Sequence, residues 1–412
     1  MITGVRTVPD ARKRAMMHPQ VQAYWHEIDC GFQPVADVFE ECVYEALTVL
    51  SREQMKGYLE ATRVLGKLGR GPEPMLAFLE EWPSVVSAVG GDVLAPIMDF
   101  VRAMQKSPNG KAIAPFTIPR PGHADLTGAI KYGLHDLRPA LERASARETA
   151  ARVAAGAVCK HLLAQFGITV GGYVLSIGEI AAQLETLPLS ERLQQAESST
   201  VRCPDPAAAE QMEQRIRQVI QERDTLGGII EIIALGLPAG LGSYAQWDQR
   251  LEARLGAALL SVPAIKGLEF GPAFENTRLP GTRVHDPIRL EKGQLVREGN
   301  HAGGLEGGIT TGQPLVIRAA MKPVATTLTP QPSVDLASGE EVQTQYERSD
   351  HCPVPRAVPV LEAMTALVLA DFLLEKLGGD SLGEMLPRFA NLRQARLSDL
   401  KMEHPDQYFW ED

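Results

Sequence analysis

GGIIEIIALG, residues 227–236, decides how this chain is read. A short apolar run rich in isoleucine, broken only by Glu231 and bounded by glycines, reads as a largely buried strand. WDQRLEARLGAALL (247–260) follows with helical spacing, and IKGLEFG (265–271) reads as the next strand. Upstream, ITVGGYVLSI (168–177) is a strand preceded by a helix over 142–166. Ala154, Val158, Leu162 and Phe166 form that helix's expected stripe, and Gly167 stops it. Asp205 and Pro206 read as a cap and a first-turn proline, with Met212, Ile216 and Val219 as the buried stripe of the helix they open. A last long helix is expected over about 357–377, with Leu361, Met364, Val368 and Phe372 inward. From residue 116 onward this alternation argues for an α/β or α+β domain.

Residues 19 to about 106 read differently. VADVFEECVYEALTVL, REQMKGYLEATRVLGKL and EPMLAFLEEWPSVVSAV are helical segments separated by glycine and proline clusters, an antiparallel helical array. The expected divisions are therefore a helical array over 1–115, a second domain over 116–395 and an acidic tail over 396–412. His18 and His26 read as surface or helix-end histidines.

The 412 residues allow two or three domains, and 44% hydrophobic with 22% charged residues is ordinary for a soluble globular chain. A net charge of −10 argues against a nucleic-acid partner. No apolar run suggests a membrane span, and the N-terminal stretch lacks the apolar segment of a secretory signal. Cys30, Cys42, Cys159, Cys203 and Cys352 form no CxxC pair, so no metal site or disulfide framework is expected and a reducing cytoplasm is the default.

Three loop-rich stretches could carry chemistry. In PRPGHAD (119–125), His123 follows a proline-stiffened turn, and behind it Arg143, Ser145 and Arg147 open a helix where an anion could sit. The alternative is that Ser145 only caps and the arginines pair with Glu142 and Glu148. NHAGGLEGGITTGQ (300–313) has five glycines that let backbone approach a flat or phosphorylated ligand, or form a plain turn. It matches neither phosphate-loop nor dinucleotide fingerprints. In MKPVATT with YERSDHCPVPRAVP, Lys322 ends a strand, and Arg348 with Asp350 offers either a general base beside a cation or a simple ion pair.

The runs PRPGHADLTGAIKYG, ERASARETAARVAAGAV, RCPDPAAAEQM, GGIIEIIALGLPAGLG, SVPAIKGLEFGPAF, NHAGGLEGGITTGQPLVIRAAMKP and ERSDHCPVPRAVPVLEAM resemble chorismate synthase, in order, from about Phe116 to about Met385. The resemblance implies an α+β sandwich of antiparallel sheets and helices, usually a homotetramer. It implies a phosphate lyase that makes chorismate from 5-enolpyruvylshikimate 3-phosphate by 1,4-anti elimination. The cofactor would be reduced FMN, with NADPH as the family's source of reducing equivalents and no net redox change. By residue, it implies that His123 protonates reduced flavin and that Asp350 helps remove the C6 proton. Arg143, Ala144, Ser145, Pro263, Ala264, Gly307, Lys322, Pro323, Val324, Ala325 and Thr326 would bind FMN. Arg348 would touch flavin and substrate, and Arg147 the substrate. His351 receives no role.

The family's opening GESHG motif and RRPGQ-like run are not found, so the resemblance implies a domain shortened at its N-terminal side. Residues 1–115 are instead weakly similar, through LEATRVLGKL and PEPMLAFLEEWPSVV, to the helical region of von Willebrand factor A-containing activators of Rubisco and nitric oxide reductase. The competing functional reading is a non-catalytic fusion of a helical interaction module to an incomplete flavin-site remnant.

Overall fold

The computed structural model describes residues 114–345, 350–400 and 402. The helical array expected over 1–115 falls almost wholly outside the described residues, as do His18, His26, Arg348 and residues 403–412. The chain divides into two compact units, one of residues 1–116 with 127–139, the other of 117–126 with 140–412. In the first, Phe116 N donates to Asp136 Oδ1 at 3.1 Å and Leu137 N donates to the Phe116 carbonyl at 2.8 Å.

The longer helices, in chain order, are α1 (Asp125–Tyr132), α2 (Thr149–Ala164), α3 (Leu189–Glu197), α4 (Pro206–Glu222), α5 (Leu251–Leu260), α6 (Val354–Leu377) and α7 (Leu382–Ala390). The strands are β1 (Thr169–Ile177), β2 (Ile180–Ala181), β3 (Gly228–Leu235), β4 (Ile265–Phe270), the hairpins β5–β6 (Ile288–Glu291, Gln294–Arg297) and β7–β8 (Leu305–Glu306, Ile309–Thr310), β9 (Leu315–Met321), and β10–β11 (Pro332–Val334, Glu341–Gln343). Five of them form one sheet in the order β2-β1-β3-β9-β4, antiparallel at every pairing. That settles the class as α+β, because a parallel α/β sheet would need crossovers that return each strand in the same direction.

The period of two along β3 divides the second unit into two sides. Ile230, Ile232 and Ala234 join Val170 and Val174 of β1 and Leu315, Ile317 and Ala319 of β9 in the main core. Each large aliphatic side chain sealed there contributes about 1.5–3 kcal/mol. Helix α6 packs along this face and is buried over most of its length. By length and composition α6 could cross a membrane, contrary to the expectation of no such run; 72% of its apolar window is buried in the protein, which makes it a core helix.

On the other face Tyr173 and Ile233 pack with Leu184 and Ala196 beneath α3. A polar rung crosses that face, one residue per strand. Tyr173 pairs in register with Glu231, Glu231 with Arg318, and Arg318 with Glu269. The Tyr173 hydroxyl donates to Glu231, and Arg318 Nε donates to Glu231 at 2.6 Å. Burial first, then the Glu231 carboxylate, push the Tyr173 phenol well above its usual range.

Several helices depart from expectation in register or in bounds. The helix expected over 142–166 is broken: a 3-10 turn, Ala146–Glu148, precedes α2, because the Ser145 hydroxyl accepts from Arg147 N and caps it. The stripe on α2 is also rotated, leaving Val158 71% exposed while Gly156 and Leu163 are buried. The cause is a close crossing with α6: a Cβ on Gly156 would lie 2.2 Å from Ala363 Cβ, so only glycine fits. The helix expected from Trp247 begins at Leu251 after a 3-10 turn, and α6 begins at Val354 rather than at 357. The start of α4 is as expected, with Asp205 Oδ1 accepting from Ala207 N and Ala208 N at 3.0 and 3.2 Å.

Candidate active site

The Arg120-Pro121-Gly122-His123 segment is a β-turn. His123 N donates to the Arg120 carbonyl at 3.3 Å, and Gly122 has φ +74°. Proline second and a left-handed glycine third are the residues a type II turn selects, so the local sequence determines where His123 stands. Asp125, the first residue of α1, is wholly buried. Its carboxylate accepts Arg120 N at 3.0 Å, Arg120 Nε at 2.8 Å and Arg120 Nη2 at 3.0 Å, and lies 2.6 Å from His123 Nδ1. Burial alone would raise this carboxyl; the hydrogen bonds from His123 and from the Arg120 side chain and backbone outweigh it and hold Asp125 far below the usual carboxylate range.

The same turn is tied to the loop after β9 at two points. Lys322 Nζ donates to the Gly122 carbonyl at 2.9 Å, and Arg120 Nη1 donates to Thr326 Oγ1 at 2.9 Å. Thr225 Oγ1 donates to the Val324 carbonyl at 2.8 Å. Lys322 N donates to the carbonyl of Ala264, which holds a left-handed φ of +68°. A non-glycine residue pays about 1–3 kcal/mol there, a cost met mainly where backbone must be presented in one direction. Burial, then the charge of Lys266, lower the Lys322 ammonium below the usual lysine range.

Of the other expected residues, the Ser145 turn and the segment after Asp350 reach this cluster through intermediaries, whereas Arg143, Arg147 and Gly307 make no hydrogen bond or ion pair to it among the described residues. Arg152 pairs with Glu148 at 2.9 Å and donates to Ser261 Oγ at 2.6 Å, joining the Ser145 turn to the segment before Pro263. Arg147 pairs with Glu142 at 2.9 Å, while Arg143 is exposed. Asp350 pairs with Arg356 at 2.8 Å. Its neighbour His351 donates through Nδ1 to the Asp224 carbonyl at 3.0 Å, and Leu226 N donates to the His351 carbonyl at 2.8 Å, on either side of Thr225, whose hydroxyl holds the Val324 carbonyl. Gly307 stands apart. Gly308 accepts from Leu251 N at the start of α5, whereas Pro263 follows that helix's end, about 15 Å away along ten residues.

Arg120, Thr225 and Lys266 were not marked by sequence reasoning. The available signal was local for Arg120, an arginine before Pro-Gly-His with an acid five residues on, and absent for the other two.

The fold is α+β, with a histidine-bearing turn tied to a lysine-bearing loop after β9. The family model for chorismate synthase matches residues 90–374, a stretch that begins within the segment expected to be a separate helical array. The chain is similar to the chorismate synthase of Trichlorobacter lovleyi, at 53% identity over 65% of this chain and 71% of that one. It is 46% identical to the Chlorobaculum tepidum chorismate synthase over 80% of this chain and 82% of the relative. A crystal structure of chorismate synthase superposes with a TM-score of 0.57 at 44% identity, covering 65% of this chain and 75% of that one. The chain belongs to the chorismate synthase family. A flavin is the cofactor that membership implies, with a small-molecule substrate.

Proposed function

We propose that the turn bearing His123 and the loop Lys322–Thr326 form one wall of the site where 5-enolpyruvylshikimate 3-phosphate loses phosphate to give chorismate. The observation that carries this reading is the double tie, Lys322 to Gly122 and Arg120 to Thr326. It joins the histidine-bearing turn to the lysine-bearing loop by two direct side-chain hydrogen bonds. The donor set suits the phosphate of FMN: the Lys322 ammonium is part-buried, with the charge of Lys266 acting on it, and an anion bound at Lys322 would offset both costs. Bound in its reduced state, the flavin would lend electron density to the eliminating allylic system with no net redox change.

The chain's own residues supply the rest. Lys322, with the backbone of Pro323, Val324, Ala325 and Thr326, holds the cofactor's anionic end, and Pro263 and Ala264 present backbone beside it. Arg143, Ala144 and Ser145 extend that wall, and Arg147 offers its charge to the substrate. His123 carries a proton at its ring, and Asp350 accepts one. Arg348 and Gly307 complete the expected set. A homotetramer in the cytoplasm, with NADPH supplying the reduced flavin, fits this reading, and the described thiols Cys159, Cys203 and Cys352 are free.

Anaerobic turnover with reduced FMN and 5-enolpyruvylshikimate 3-phosphate tests it. His123→Ala should lower kcat by roughly 10²–10⁴-fold, the usual worth of a positioned proton carrier. Unchanged turnover in that variant would overturn the assignment.

A further inference from the structure

The imidazole of His123 has two neighbours at the same nitrogen. Asp125 Oδ1 is 2.6 Å from Nδ1, and Arg120 Nη2 is 3.0 Å from it. A guanidinium can only donate and a carboxylate can only accept, so the two contacts ask for opposite states of Nδ1. The shorter contact decides. A bare Nδ1 would place two lone pairs 2.6 Å apart beside a full negative charge, whereas Nδ1–H makes a short charge-assisted bond.

We infer that Asp125 is a positioning residue for the elimination: it fixes His123 in the Nδ1–H tautomer and leaves Nε2 as the nitrogen that exchanges a proton at the reacting centre. The inference rests on the reading of His123 as the proton carrier. It adds a residue that acts through His123 and touches neither substrate nor flavin.

Three features separate this arrangement from an incidental ion pair. Asp125 has no exposure and His123 retains 20%, so the carboxylate is sealed behind a ring whose edge meets solvent. The carboxylate is saturated by the three Arg120 donors, two from the guanidinium in fork geometry, so it has little freedom to turn away from the ring. That same guanidinium reaches Thr326, so the ring's orientation is set by the loop expected to hold the cofactor. A carboxylate that orients an imidazole and selects its tautomer stabilises the imidazolium when it forms and need not itself be protonated.

The test begins with the unmodified full chain, selectively labelled with ¹⁵N-histidine and free of flavin. The His123 ring resonances are assigned by their loss in His123→Ala. Long-range ¹⁵N–¹H correlations should show the hydrogen on Nδ1 in the neutral ring. A hydrogen on Nε2 overturns the inference without any variant. Asp125→Asn should then shift the ring toward the Nε2–H form and lower kcat by roughly 10²–10⁴-fold, the scale of a lost tautomer, with KM and FMN binding changed far less. Should Asp125→Asn fail to fold, the unmodified spectrum still decides the point. In the folded case, combining Asp125→Asn with His123→Ala should cost no further turnover; losses that multiply would mean that Asp125 acts on its own. Full turnover in His123→Ala would overturn the reading of His123, an outcome distinct from a wrong tautomer in the unmodified chain.

Discussion

Asp125 and Glu231 are both carboxylates shut away from water, each gripped by arginine and each bonded to a ring side chain that can carry a proton. They differ in where the ring leads. Glu231 lies in the middle of β3, and its partner Tyr173 is as sealed as Glu231 itself. Every member of that rung is fixed by strand register, so the network runs straight across the sheet. Asp125 lies where a turn meets a helix, and its partner His123 keeps an open edge. A buried charge whose proton-bearing neighbour is also buried can only hold the fold; one whose neighbour reaches solvent can pass a proton on. Burial alone marks neither as functional.

The sharpest way to break the comparison is to remove Glu231. Glu231→Ala would leave the Arg318 guanidinium and the Tyr173 hydroxyl without their shared acceptor, and Arg192, whose guanidinium is 3.6 Å away, would lose its counter-charge. Removing one partner of a buried pair costs about 3–5 kcal/mol, so the denaturant midpoint should fall sharply. Turnover per folded molecule should stay near normal, because none of these residues meets the His123 cluster. Loss of kcat in protein still shown to be folded would sink the distinction between a structural and a functional carboxylate.

Acid unfolding gives a second, smaller contrast. Hydrogen bonds hold folded Asp125 well below its ordinary value of 3.8, so its contribution to stability is fully present above that pH. It is lost as pH falls below 3.8 toward the folded value, because the unfolded chain then binds a proton that the folded chain refuses. Chemical denaturation at a series of pH values should therefore show the parent chain losing its advantage over Asp125→Asn as pH drops from about 5 toward 2. A gap that stays constant over that interval would mean that Asp125 is not held ionised by its partners.

How much of this was readable beforehand depends on the range of the interactions. The strand 228–235 could be read from its own residues, since isoleucines bounded by glycine have few other uses. The charge within it could not be interpreted, because Arg318 lies 87 residues further on. The turn at His123 was likewise local, whereas its tie to Thr326 spans 206 residues and leaves no trace in either segment's composition. The wrong stripe on α2 has the same origin: four-residue spacing favoured Val158, but the helix turned to bring Gly156 onto Ala363. Short-range geometry is written in residue types, and partners across the fold are not. The motifs naming the family gave access to the site only because they place those distant segments in one list of functional positions.

Asp350 offers the smallest expected effect and closes the comparison from the exposed side. Its carboxylate pairs with Arg356, and the two side chains are 48% and 75% exposed. Water screens such a pair, so Arg356→Ala should change stability by no more than about 1 kcal/mol. The functional consequence runs separately. If Asp350 accepts the substrate's proton, Arg356→Ala removes a partner that holds its carboxylate in place, and kcat/KM should fall. An unchanged kcat/KM together with unchanged stability would detach Asp350 from proton removal. It would then be an ion pair like the many on the surface of this chain, unlike the sealed pair at Asp125.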